Sequence, residues 1–205
     1  MGKTVKVKKQ STFIDMTAMS DVTVLLLTFF MLTATFMDKE PVQVTAPSSV
    51  SETKVPESNV LTILIDPEGK VFLNMDDVKT KKEVLELVGQ DYGITFDAKQ
   101  VTTFVNDVTH VGVPIGRMTE FLNLPMASRE DEIKKFGVPT DSINNQFKQW
   151  VKHAREVGGD GLKIAIKADA NTPYPMIEAV MKNLVKMKEN RYSLLTNLRG
   201  APTDI

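Results

Sequence analysis

The chain has 205 residues, with 25 Lys and Arg set against 26 Asp and Glu, and it has no cysteine. A net charge of −1 provides no basic field for nucleic acid. Without cysteine there are no disulfides, thiol nucleophiles or thiolate metal sites, a composition that suits an oxidising compartment.

Residues 1–12 form a short basic start, with Lys3, Lys6, Lys8 and Lys9. Residues 13–37 follow as one apolar helix. Val22 to Met37 is sixteen residues without a charge, which is about 24 Å of helix; Phe13 to Met37 gives about 37 Å. A hydrocarbon core is about 30 Å thick and takes about 20 residues. The segment reaches that length only with Asp21 inside the membrane or at its edge. No other stretch is as apolar, so a single transmembrane helix is expected. The lysines precede it, and Asp38, Lys39 and Glu40 follow with no net positive charge. Basic flanks stay in the cytoplasm. The expected orientation is therefore a cytoplasmic tail, one pass of a bacterial inner membrane, and a periplasmic remainder. A cleaved signal peptide shares the basic start and apolar centre. Against it stand the length of the run, the acids Asp15 and Asp21 near its start, and the poor cleavage site at Thr33-Ala34-Thr35-Phe36.

An ionised Asp at the centre of a membrane helix costs about 2.5–3.5 kcal/mol on insertion scales. Protonation, a wet cavity or a partner on another helix lowers that cost. The helix itself offers no Lys, Arg or His. Ile14, Asp21, Thr28 and Thr35 are spaced by seven, so they drift only about 20° per step. Thr17 falls on the same side, which makes Thr17, Asp21, Thr28 and Thr35 one polar stripe. Such hydroxyls either bond across helices or satisfy themselves on their own backbone. Asp21 is the candidate functional acid, because intramembrane acids mark proton and ion paths. Asp15 reads as a solvated acid at the helix start.

Residues 38–58, rich in Pro, Ser and Thr, are expected to be a linker. From Asn59 a folded domain begins, running to residue 205. Val60 to Ile65 and Lys70 to Asn74 form a hairpin about the turn Asp66-Pro67-Glu68-Gly69. Thr80 and Glu83 fit a capping box, with a helix running from there to Gly89. Residues 90 to about 160 suggest four helices: Val101 to Asp107, Pro114 to Leu122, Ser128 to Phe136, and Ser142 to Val157. The last buries Ile143, Phe147, Trp150, Val151 and Ala154 on one side, and Trp150 is expected in the core. Leu162 to Asp169 alternates like a half-buried strand. A turn at Ala170–Pro173 leads to a helix started by Pro175, with Ile177, Val180, Met181, Leu184 and Val185 as its apolar face. Tyr192 to Leu198 is a last strand. The expected fold class is one transmembrane helix plus an α+β domain with a mixed sheet, ordered β-β-α then β-α-β, with a helical insertion between the halves.

The run Asp15-Met16-Thr17-Ala18-Met19-Ser20-Asp21-Val22, continued by Leu25-Leu26-Leu27-Thr28-Phe29-Phe30-Met31-Leu32-Thr33, resembles the signature of the ExbD/TolR family of proton-channel subunits. That signature reads roughly N-(V/M)-T-P-x-x-D-V-x-x-V-L-L-x-x-F-M-x-T. Asp15 stands where the family has Asn, and Ala18 where it has Pro. The resemblance implies that Asp21 carries the proton. It also implies a ring of ExbB/TolQ-type subunits around the helix, a TonB-like or TolA-like partner that receives the work, and a dimer of this chain. Pro41-Val42-Gln43-Val44-Thr45-Ala46-Pro47 is similar to the family's post-membrane motif, with Ala46 in place of Leu. In the family this region helps to regulate the channel; a plain extended linker fits Val42, Val44 and Pro47 equally. Leu64-Ile65-Asp66, Gly69-Lys70-Val71, Ile166 to Asp169 and Pro173-Tyr174 to Val180-Met181 resemble the family's periplasmic domain. The resemblance covers about residues 13 to 88 and 162 to 198, while residues 90 to about 160 exceed the family's usual connection.

The function so implied is proton-motive-force-driven energy transduction for outer-membrane transport. One alternative is a TolR-like anchored module acting on envelope integrity or peptidoglycan. Another makes Asp21 an assembly contact only. The chain lacks a P-loop, GxGxxG, GxSxG and HExxH, and His110 and His153 are isolated in sequence. No catalytic residue, metal or cofactor is expected.

Overall fold

The structure is a computed structural model that describes residues 16–34, 44–45, 48–49, 59–141, 144–195 and 197–198. Two compact units divide the chain, residues 1–38 and 39–205.

The first unit holds helix α1, Met16–Thr33. Its 18 residues give about 27 Å of length, close to the hydrocarbon thickness. By length and composition α1 is apolar enough to cross a membrane. None of its residues is buried within the chain, so its apolar surface has no protein core of its own to enter. Residues 13–15 and 35–37, including Ile14, Asp15 and Thr35, lie outside the described residues.

The second unit is built on a four-stranded mixed sheet. Strands β2 (Val60–Ile65) and β3 (Val71–Met75) are antiparallel. The Asp66 carboxylate closes their turn by accepting the Lys70 N–H at 2.7 Å. Strand β4 (Lys163–Ala168) lies parallel to β2, and β5 (Tyr192–Leu195) lies parallel to β4. The spatial order is β3-β2-β4-β5. Parallel neighbours need a crossover. Helix α7 (Tyr174–Lys186) supplies it between β4 and β5, and the whole central region supplies it between the hairpin and β4. Leu61, Ile63 and Ile65 in β2, and Ile164 and Ile166 in β4, are buried at the centre.

Helix α2 (Val78–Asp91) follows β3. Its cap is not Thr80, as the sequence suggested, but Asp77, whose carboxylate accepts the Thr80 N–H at 2.8 Å and the Thr80 hydroxyl at 2.7 Å. Thr80 thus sits one turn inside the helix, held by the true cap. The helix also runs past Gly89 to Asp91. Gly89 is there for close approach: a Cβ on it would lie 2.7 Å from the Ile94 carbonyl and 2.8 Å from the Phe96 ring.

The central region forms α3 (Ala98–Asp107), α4 (Ile115–Asn123), α5 (Met126–Lys135) and α6 (Gln146–Gly158), followed by a 3-10 turn at Gly159–Gly161. Helix α6 starts later than Ser142, because Asn145 caps it by accepting the Lys148 N–H at 2.9 Å. Ser142 and Ile143 lie outside the described residues. The central helices share the sheet's core. Phe104, Phe147, Trp150 and Val151 belong to one buried cluster with Leu61, Ile63 and Ile166. Trp150 and Phe104 stack at 6.2 Å between ring centroids.

Other sequence expectations shift in detail. The apolar face of α7 buries Val180 and Leu184, but Val185 is exposed. The last strand divides into β5 and a short β6 (Asn197–Leu198), which pairs parallel with β1 (Ser48–Ser49) in a second small sheet.

Candidate functional site

Helix α1 carries several polar side chains, and their partners differ. The hydroxyls of Ser20 and Thr23 donate to the Met16 and Met19 carbonyls at 2.8 and 2.7 Å. Thr28 donates to the Leu25 carbonyl at 2.9 Å, and Thr33 to the Phe29 carbonyl at 2.8 Å. Thr17 is engaged as well. Such back-bonding makes a hydroxyl tolerable in lipid, because it shares an acceptor already present in the helix. Asp21 has no equivalent. Among the described residues it has no hydrogen-bond or ion-pair partner. An ionised carboxylate only accepts, and helix carbonyls cannot donate to it. The lone acid of this helix therefore needs a proton, water or another subunit to satisfy it.

A second constellation surrounds the start of the post-membrane segment. Val44 is buried and joins the domain core. The Thr45 N–H donates to Asp169 Oδ2 at 2.7 Å, and the Ala170 N–H donates to the Thr45 carbonyl at 2.9 Å. The other Asp169 oxygen accepts the Asn171 N–H at 2.8 Å and its side-chain amide at 3.0 Å. These backbone N–H groups, Asn171 first and then Thr45, hold the Asp169 carboxyl below its ordinary value, with burial opposing. A few residues on, Ser48 and Ser49 pair with Asn197 and Leu198. So at residues 44–45 and 48–49 this stretch is a docked part of the domain. Val42, Ala46 and Pro47 lie outside the described residues.

The third feature was invisible in sequence. His153 is buried on α6, with Nδ1 2.7 Å from Glu156 and Nε2 2.7 Å from Asp91 at the end of α2. Glu156, three residues on, could have been anticipated from helical spacing; Asp91 is 62 residues away. The Asp91 bond joins α2 to α6, while the Glu156 bond lies within α6 and holds the ring in place. His110 is buried too and is engaged. Among the described residues no group of three or more His, Asp or Glu side chains has the geometry of a metal site.

A model of the family described as "Biopolymer transport protein ExbD/TolR" matches residues 8–198. The chain belongs to the ExbD/TolR family. No curated protein and no solved structure matches the chain. The match runs through α1, the sheet and the central helices, so the ExbD/TolR assignment covers both the Asp21 segment and the Thr45–Asp169 contact. ExbD/TolR proteins are membrane-anchored and work in energy transduction for biopolymer transport, within complexes. One N-terminal helix of membrane-crossing length and composition, followed by a mixed sheet with helices, is compatible with that anchored design.

Proposed function

We propose that this chain is the energy-transducing subunit of a complex driven by the proton-motive force, with Asp21 as its proton carrier. The observation that carries this reading is the isolation of Asp21. Its neighbours Ser20, Thr23 and Thr28 are satisfied by their own helix, and among the described residues the acid has no partner. Keeping an unsatisfied carboxylate in an apolar helix is costly, and that cost becomes a lever if the group is alternately protonated and released. In this reading α1 crosses the inner membrane once, with the basic start in the cytoplasm and the sheet domain in the periplasm. A ring of ExbB/TolQ-type subunits surrounds the helix and supplies the wet or polar contacts that Asp21 lacks. Ionised Asp21 favours a hydrated or charged face of the ring, and neutral Asp21 tolerates an apolar one, so proton transfer biases the helix between environments. The domain then passes the motion to a TonB-like partner directed at the outer membrane, and two copies of the chain act together. Thr17 and Thr28, on the same stripe of α1, accompany the proton carrier without replacing it.

Docking of Val44 and Thr45 on the domain supports a coupling role for the post-membrane segment. A segment held at Asp169 transmits displacement, whereas a slack tether of the same length absorbs it. The reading is tested in proteoliposomes holding this chain with its ring partner, using a pH-sensitive dye. Wild type is expected to conduct protons, and Asp21→Asn to lose the flux with the complex still assembled. Full flux in an intact Asp21→Asn complex would sink it. Loss of the complex itself would reassign Asp21 to assembly.

A further inference from the structure

The outer edge of β3 is already occupied. One side of β3 pairs with β2. On the other side the Leu73 N–H donates to the Val111 carbonyl at 2.9 Å, and the Val111 N–H returns to the Leu73 carbonyl at 2.7 Å. The Val138 N–H donates to the Val71 carbonyl at 2.8 Å. Lys70, just before the strand, reaches the Lys134 carbonyl with Nζ at 2.9 Å. Val111, Lys134 and Val138 all come from the helical insertion, so it meets β3 at Val71 and Leu73 and the chain just before it at Lys70.

The approach depends on two glycines. A Cβ on Gly112 would sit 2.3 Å from the Phe72 ring, and one on Gly137 would sit 2.9 Å from Lys70 Cβ and 3.1 Å from the Val71 nitrogen. Any side chain there would push the segment off the strand. Neither segment can pass the pairing onward. Val111 is a single isolated bridge, with Pro114 closing its loop. Val138 is followed directly by Pro139, which has no N–H to offer. The other end of the sheet is different. Among the described residues β5 pairs only with β4, and Tyr192–Leu195 carries neither charge nor proline.

We propose that the helical insertion is an edge guard: it seals β3 against strand addition by a second copy of this chain and leaves β5 as the open edge of the sheet. An uncovered strand edge presents unpaired N–H and C=O groups and templates pairing with another chain. The insertion spends short, glycine-admitted, proline-terminated contacts on the edge instead of a full strand. That design fills the outward Val71 carbonyl and both outward groups of Leu73 without creating a new edge beyond them. It gives the insertion a task independent of what Asp21 does.

The test exploits the absence of cysteine. A single Asn74→Cys probe on β3 reports the approach of two β3 strands without background. Antiparallel pairing about Leu73 would bring two such thiols to roughly 7–8 Å, within reach of a short bifunctional thiol reagent. The full chain in detergent is cross-linked with the guard intact and again with Val111→Pro and Val138→Pro added, which remove two of the three guard N–H···O bonds. The expected result is a severalfold rise in cross-linked dimer only in the opened protein. Equal cross-linking in both proteins, or no rise in an opened protein that keeps its native near-ultraviolet Trp150 signal, would overturn the proposal. Should the double variant lose that signal, Gly137→Ala opens the edge more gently and is judged by the same two outcomes.

Discussion

Asp169, at the end of β4, accepts the backbone N–H of Thr45 at 2.7 Å across 124 residues of chain. This bond fixes where the post-membrane segment meets the domain. Beside it Val44 enters the core, so one polar and one apolar contact hold the same two residues.

Asp169→Ala is expected to release Thr45. The readout is amide hydrogen exchange at Thr45, faster in the variant than in wild type, with exchange in β2 unchanged. The contact also depends on pH. The Asp169 carboxyl is held below its ordinary 3.8, so ionised Asp169 favours the docked state at pH above that value. The contribution fades as pH falls through the lowered value. Protection of Thr45 that is constant down through the acid range would contradict this.

Asp77→Ala is expected to destabilise the domain by about 1 kcal/mol, because it removes the acceptor for the first turn of α2. The Thr80 N–H and then its hydroxyl hold the Asp77 carboxyl below 3.8. Asp77→Ser, which keeps a capping oxygen, should recover most of the loss in a thermal melt. A melt of the Ala variant that overlays wild type would show that the cap adds nothing.

His153→Gln and Asp91→Asn are expected to couple. The imidazole is buried but both carboxylates face water, so the double-mutant coupling should be about 1 kcal/mol rather than the larger value of a fully buried pair. Chemical denaturation of the two single variants and the double variant measures it. Additive losses would mean that the geometry carries no energy between α2 and α6.

Trp150→Ala is expected to cost about 3–5 kcal/mol, since the ring has no exposed surface and stacks on Phe104. Trp150→Phe should cost much less. If the central helices formed an independent embellishment, the Ala variant would instead unfold them alone and leave β2–β4 protected in hydrogen exchange.

Thr28→Val is expected to leave proton flux near wild type. Its hydroxyl is already spent on the Leu25 carbonyl, so the substitution removes a bond internal to α1. Measured beside Asp21→Asn in the same vesicles, it separates the acid from the stripe around it. A flux loss as deep as that of Asp21→Asn would place Thr28 on the proton path.

Sequence by itself determined what depends on neighbours along the chain. A long apolar run declares a helix of membrane-crossing length, and α1 followed from that. The hairpin, the helical insertion, β4 and α7 were legible from period and turn chemistry, because each needs only a few consecutive residues to declare itself. The order of a capping site was less legible: Asp77 and Thr80 are both good cap residues, and only the path out of β3 chose between them. Tertiary structure alone decided the contacts that span the chain. Nothing in Val44-Thr45 announces a partner at Asp169, nothing in His153 announces Asp91, and nothing in Gly112 or Gly137 announces the edge of β3. Those pairings depend on which backbone groups the sheet leaves unsatisfied and which segments can approach them closely, and that is set by packing across distances that local sequence does not encode.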